Sequence, residues 1–592
     1  MNRAASFILW PMRVGSQPTA VSSSVSLFRD TCNVYVVRAG AQAVLVDFGD
    51  GDVLDHLAAL GVDRVTDVLL THHHRDSLGG LRRAVDAGIR VWAPPYDAEL
   101  IADATGHWLR RPLDVDYDLR EDRFSLLESV PIAGTVAEYR TTRVGGIDVL
   151  ALPTPGHTPG SVTYVIETDG RKLAFTGDLV YGDGMVWSLA ATQWSYSGVE
   201  GQEATIISCA KLAAVEPDVL LPSHGEPIED PHAALTTVRE RLGQLIALRL
   251  GQPSGVEDRL ADPLQEITPH LLRNRTTFAN SYVLVSESGA ALGIDFGYDM
   301  AAGRRPLLWS LEGVDVEAVV VTHFHDDHVA GLNLIRAVKG ADVWTAEHIA
   351  PVLEDPKRFD LPCLWPERIP VVRALPLETP IAWHEYELTL YPLPGHTYFA
   401  CAVAFEVDGR RVVAIGDQYT PTTLNYQYRN RFQRHDFIQT GELLRSLQPD
   451  LLIGGHFFPH EVEDGYLDSL VADAHRLAGL HDALLPGESF GERGFGAWIE
   501  PYRSTVAPGG AVSLDVTVRN PFERGETATV RLVVPEGWSA APATHEVELE
   551  AGGEAVVRFE VAAGSASGRV AADVTVGEAR FGQQADAVVY VR

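Results

Sequence analysis

Three histidines and two aspartates fall within six positions of the stretch Val321-Thr322-His323-Phe324-His325-Asp326-Asp327-His328, directly after the apolar run 316–321. A strand end is rigid and a polar loop can turn its side chains inward, so this is a place where a metal site can be assembled. In the pattern His-x-His-x-Asp-His, His323 and His325 can reach one ion while Asp327 and His328 reach a second. Imidazole and carboxylate at this density suit zinc, and the same ligands admit manganese or iron. Taken alone, six residues could be an accident of composition. Three further signals follow: Leu393-Pro394-Gly395-His396-Thr397, Ala414-Ile415-Gly416-Asp417 and Leu452-Ile453-Gly454-Gly455-His456. Each puts one ligand-type side chain at the end of an apolar segment or inside a Gly/Pro turn.

This order of motifs resembles the metallo-β-lactamase fold superfamily, including its glyoxalase II-like metallo-hydrolases, over about residues 265 to 485. The resemblance implies a first metal site of His323, His325 and His396. It implies a second of Asp327, His328 and His456, with Asp417 bridging the two, and it gives Asp327 and Asp417 the catalytic roles.

The same order of signals occurs earlier in the chain. Asp47-Phe48-Gly49 matches Asp295-Phe296-Gly297, Thr71-His72 matches Thr322-His323, and Pro155-Gly156-His157-Thr158 matches Pro394-Gly395-His396-Thr397. Gly177-Asp178 matches Gly416-Asp417, and His224 matches His456. A repeat of this length indicates two whole domains in tandem rather than a solenoid. The expected fold class is therefore α/β: two tandem αββα metallo-β-lactamase-like sandwiches with metals at one sheet edge. In the first copy His72, His74 and His157 preserve the three-histidine site, and Asp76, Asp178 and His224 are present. Ser77 stands where the second site should have a histidine, and Arg75 adds a cation beside it. A hydroxyl is a weak ligand next to imidazole. One zinc is expected here against two in the second copy. Three readings of the first copy stay open: mononuclear and active, mononuclear and structural, or vestigial.

The chain of 592 residues is long enough for three or four domains. Residues 1–25 read as a loosely held arm ending in a Ser-rich patch, 26–250 as the first copy, 251–264 as a linker and 265–490 as the second copy. After about residue 495 the pattern changes to short alternating runs separated by turn signals. Residues 498–592 are expected to form an all-β immunoglobulin-like sandwich. It would serve as a structural appendage or a dock for a protein or glycan.

A net charge of -32 repels phosphate backbones and anionic lipid, which argues against nucleic-acid and membrane partners. Cys32, Cys209, Cys363 and Cys401 lack pairing spacing and suit a reducing compartment. The apolar stretch 4–12 contains Pro11 and lacks a small-residue cleavage pattern, so a cytoplasmic location is expected over a secreted one. The tandem arrangement suggests a pseudo-dimer and leaves a homo-oligomer open.

Two dications sharing a carboxylate would acidify a water between them and polarise the oxygen that becomes negative. That chemistry suits a zinc-dependent hydrolase of a small-molecule ester, thioester, lactone or related substrate, acting in the second domain. Tyr419, Asn425, Tyr426 and His460 are candidate substrate contacts. Two alternatives are a mononuclear iron persulfide dioxygenase of the same fold and a non-enzymatic, metal-stabilised binding protein. Only 38 residues separate Asp417 from His456, too few for the inserted domain of nuclease relatives.

Overall fold

The structure is a computed structural model that describes residues 18–110, 125–187, 190–192, 201–250, 255–298, 307–361, 363–421, 425–426, 435–484 and 496–592. The chain forms two compact units, residues 1–263 with 298–310 and residues 264–297 with 311–592.

In the first unit a seven-stranded sheet runs in the order Thr19–Ala20, Val25–Arg29, Asn33–Ala39, Gln42–Val46, Arg64–Leu69, Arg90–Ala93 and Gly134–Thr135. Its first half is antiparallel; from Gln42–Val46 onward the pairing is parallel. A five-stranded sheet faces it, in the order Val219–Pro222, Arg171–Gly177, Val162–Thr168, Ile147–Pro153 and Thr141–Val144. Strand alternation decides which core each side chain joins. Tyr35, Val37, Val44 and Val46 point between the sheets toward Val149, Tyr164 and Phe175. Their neighbours Val34, Val36, Ala43 and Leu45 point outward to a second core completed by Leu78, Leu81 and Ile101. A third core packs the helices Gln202–Ala214, Pro231–Leu250 and Val256–Ala261 on the other sheet. Helices therefore cover both outer faces, which is the αββα arrangement expected.

The second unit repeats it. Its seven-stranded sheet runs Leu264–Thr268, Leu271–Asn274, Ser281–Val285, Ala290–Ile294, Asp315–Val321, Asp342–Ala346 and Arg373–Leu375. The facing sheet has six strands, Ile381–Trp383, Tyr386–Pro392, Cys401–Val407, Arg410–Ala414, Leu451–Ile453 and His460–Glu461. The tail is all-β: a four-stranded sheet (Ala497–Glu500, Ala511–Arg519, Glu554–Ala562, Ser539–Ala541) on a five-stranded one (Arg503–Val506, Ala579–Val591, Gly568–Val576, Glu526–Val533, Thr544–Leu549). Leu514, Val516 and Val518 alternate inward toward Val530, Phe559 and Val574. This domain is fixed to the second copy by Arg358, whose guanidinium donates twice to Glu500 and whose carbonyl accepts from Tyr502 N–H.

Two expectations need correction. The Ser-rich end of the arm is tied down, because Ser22 and Ser23 hydroxyls each donate to the Asp169 carboxylate at 2.6 Å and Ser24 N–H adds a third bond. The linker also is largely structured: its helix Val256–Ala261 buries Val256 and Leu260 in the core of the first unit. Among the described residues no helix is long and apolar enough to cross a membrane.

Candidate metal centres

The second copy builds its site at the C-terminal end of the parallel strand Asp315–Val321. Asp295 follows the neighbouring strand with a left-handed backbone, φ 55°, which turns its carboxylate back across the strand ends. One oxygen accepts from Thr322 N–H, the other from the Thr322 hydroxyl, both at 2.7 Å. That second oxygen also lies 2.8 Å from His328 Nδ1. Thr322 Oγ1 in turn sits 3.2 Å from His323 Nδ1. One buried carboxylate thus orients two histidines through their outer nitrogens, the usual way a protein fixes the tautomer and direction of a ligand.

The inner nitrogens converge. His325 Nδ1 lies 3.1 Å from His323 Nε2 and 3.0 Å from His396 Nε2. Four nitrogens around a zinc at about 2.0–2.1 Å would stand about 3.3 Å apart. Burial and the neighbouring imidazoles hold His323 well below its ordinary pKa and bring His325 down to about 3. Neutral lone pairs thus face each other at contact distance, an arrangement that a cation at their centre satisfies. Beside them Asp327, His328, Asp417 and His456 form a second group. Asp417 Oδ2 is 3.1 Å from His328 Nε2, 3.2 Å from His456 Nε2 and 3.9 Å from His323 Nε2, so it lies between the groups. His456 Nε2 is also 3.0 Å from Asp327 Oδ2. Burial opposes charge on His456, yet its hydrogen bonds to Asp327 and Asp417 carry its pKa up to about 9. The donor set fits two divalent cations.

Small residues make this approach feasible. Gly416 has φ 53°, and a Cβ there would fall 2.9 Å from Thr322 Oγ1 and 3.1 Å from His323 Nδ1. The loop carrying His456 is held by Asn280, whose side-chain amide donates to the carbonyls of Gly454 and Phe457, and by the Tyr282 hydroxyl on Gly454.

The first copy repeats the frame. Asp47, φ 57°, accepts from Thr71 N–H and hydroxyl, and Thr71 Oγ1 lies 2.9 Å from His72 Nδ1. Asn33 and Tyr35 hold the His224 loop through the Pro222 carbonyl. His72, His74 and His157 are buried and their ligand atoms lie together. His157 Nε2 is 2.9 Å from His74 Nδ1, and Asp178 Oδ2 is 3.6 Å from both His72 Nε2 and His157 Nε2. Asp76, Asp178 and His224 do not join as a second ligand group. Ser77 is fully buried with its hydroxyl unpartnered. His73, which the repeats leave unmatched, pairs with buried Asp97 at 2.9 Å, and Asp97 also accepts from the Thr158 hydroxyl.

Among the substrate candidates, Tyr419 is a core residue, 2% exposed and packed with Leu393, Ala402 and Phe457. A ring enclosed there is not offered to a substrate. His460 lies on the strand His460–Glu461, paired to Leu452, with its ring against Tyr466. The side chains of Asn425 and Tyr426 lie outside the described residues. Sequence reasoning missed two aromatic residues at the rims. Phe278 is half exposed with its ring edge-on to His456, and Trp187 stacks on His224.

The metallo-beta-lactamase superfamily model matches residues 27–224 and again 274–456, and the chain belongs to that superfamily. The chain is similar to the Beta-lactamase-like protein 2 homolog of Drosophila melanogaster, 25% identical over 34% of this chain and 60% of that protein. It is similar to an Atrochrysone carboxyl ACP thioesterase of Aspergillus fumigatus, 26% identical over 33% of this chain and 52% of that one. It is similar also to the Hydroxyacylglutathione hydrolase of Aeromonas salmonicida, 27% identical over 26% of this chain and 47% of that one. The chain therefore spans about half to three fifths of the length of these relatives.

Proposed function

We propose that the chain is a zinc-dependent hydrolase of a small-molecule acyl ester or thioester, working at the second copy. The observation that carries this reading is the pair of adjoining ligand groups there, three histidines on one side and Asp327, His328 and His456 on the other, with Asp417 between them. Ions held by those residues would supply Lewis acidity and an acidified water near neutral pH. The chain's own residues supply the rest. Asp327 carries a carboxylate beside His456 that can take and orient the proton of the attacking water. Asp417, held ionised by His328 and His456 against the cost of burial, fixes the spacing of the two groups. His456 stands at the mouth, 36% exposed along its side chain, next to the half-exposed ring of Phe278. An acyl chain laid over Phe278 would bring its carbonyl to that mouth. The named relatives include a thioesterase and an acylglutathione hydrolase, which supports testing thioesters first.

Asp327→Ala should lower kcat/KM for the best member of a thioester, ester and lactone panel by about 10³-fold, within the range of a lost general base. Near wild-type turnover in a folded Asp327→Ala protein would end the assignment.

A further inference from the structure

Two of the buried differences between the copies are coupled. In the second copy His328 fills the space beside Gly455. A Cβ on Gly455 would lie 2.6 Å from His328 Cε1, 2.8 Å from its Nε2 and 2.3 Å from Asp417 Oδ1. The Gly455 backbone lies outside the left-handed region, so it is this side-chain crowding that requires glycine. In the first copy the matching residues are Ser77 and Ser223. The Ser223 hydroxyl donates to Asp47 Oδ2, the counterpart of the Asp295 oxygen that meets His328 Nδ1. A hydroxyl from the other side of the site thus satisfies the carboxylate that an imidazole satisfies in the second copy. The Cβ that brings it there stands where the imidazole would be.

The neighbouring histidine is set differently too. His456 offers one nitrogen, Nε2, to both Asp327 and Asp417, leaving those three groups aimed at a common point. His224 instead puts Nδ1 2.9 Å from Asp178 Oδ1 and Nε2 3.6 Å from Asp76 Oδ2. Its ring spans the two carboxylates edge to edge. Trp187 lies parallel on its face, 4.0 Å between centroids and 5° between planes, whereas Phe278 meets His456 edge-on at 5.9 Å. The donors that would embrace a second ion are already engaged by the imidazole between them.

We propose that the first copy is built for a single divalent cation. The place of a second is taken by His224 clamped between Asp178 and Asp76, and the exchange is carried by Ser77 and Ser223 standing in for a histidine and a glycine. The residues do not fit a second ion, and the two serines form one coupled determinant of that selectivity. Changing either alone does not restore the site: a histidine at 77 meets the Cβ of Ser223, and a glycine at 223 supplies no ligand.

The test is zinc per full-length chain by elemental analysis after dialysis against buffered free zinc. His72→Ala/His74→Ala should lose about one ion relative to wild type; a loss of two, or of none, overturns the single-ion assignment. Ser77→His/Ser223→Gly should gain about one ion, while Ser77→His and Ser223→Gly singly should match wild type. A full gain from either single change, or no gain from a double variant that folds by circular dichroism, overturns the coupling. The reverse exchange, His328→Ser/Gly455→Ser, keeps the proposal testable if the first-copy variant fails to fold. It should cost the second copy about one ion, and retention of both overturns the proposal.

Discussion

The two copies share a frame and differ in what the frame holds. Both hang a strand-end Asp on a Thr-His pair, and both anchor the last loop by an Asn-x-Tyr sequence, Asn33 with Tyr35 and Asn280 with Tyr282. Both keep three histidines converging. What differs is Ser77 for His328, Ser223 for Gly455, and a ring that bridges two carboxylates in place of one that offers both the same nitrogen. Scaffold and ligand chemistry can therefore change separately, because the residues that aim the ligands are not the ligands themselves.

The largest expected effect comes from removing the three-histidine group in each copy. His323→Ala/His325→Ala should cut turnover of the best substrate by at least about 10³-fold. His72→Ala/His74→Ala should leave it within a few-fold. Equal losses would mean that the copies share the work, and steady-state kinetics on purified full-length variants decides it.

Next in size are the orienting carboxylates. Asp295→Ala strands His328 Nδ1 and the Thr322 hydroxyl in the interior. It should lower zinc affinity of the second copy by about 10–100-fold and stability by about 2–3 kcal/mol. Asp47→Ala strands Ser223 and Thr71, so it should cost similar stability with a smaller change in zinc bound per chain. Competition with a chelating dye and thermal unfolding separate the two quantities.

Gly416→Ala and Gly177→Ala should each destabilise by about 1–3 kcal/mol. Both glycines have left-handed φ, and both would press a Cβ on the threonine beside the first histidine. A difference between them measured by urea unfolding would locate where the frames diverge.

A subtler readout is the proton. His456 has its pKa carried up to about 9, so at pH 7 the metal-free imidazole is charged and must lose its proton to bind an ion. Zinc uptake by the second copy should release protons at pH 7 and release fewer as the pH rises through 9. Calorimetry in buffers of different ionisation enthalpy measures that number, and His456→Ala should reduce it. The smallest expected effect is Phe278→Ala, a rise of a few-fold in KM for long acyl substrates with kcat unchanged. A fall in kcat instead would place Phe278 in the chemistry and not at the mouth.

Much of this was legible in the chain itself. His-x-His-x-Asp after an apolar strand, Pro-Gly-His, Gly-Asp and a late histidine, each given twice in the same order, define two metal-binding domains whatever the loop lengths between them. Alternation alone outlined the tail, since Leu514, Val516 and Val518 face one way in any extended strand. The Asn-x-Tyr pairs and the change from Gly455-His456 to Ser223-His224 were visible too, but only the repeat alignment draws attention to them. Their meaning depends on contacts between residues far apart in the chain.

Composition and order determined which residues could serve as ligands, because ligand chemistry belongs to the side chain and motif order survives changes in the loops. Only the tertiary structure decided which nitrogen of each histidine faces inward and that Tyr419 belongs to the core. It alone decided that Ser223 answers for the histidine missing at position 77. Those outcomes rest on distances of a few ångströms set by packing, and a linear chain carries no record of which of its distant residues will compete for the same space.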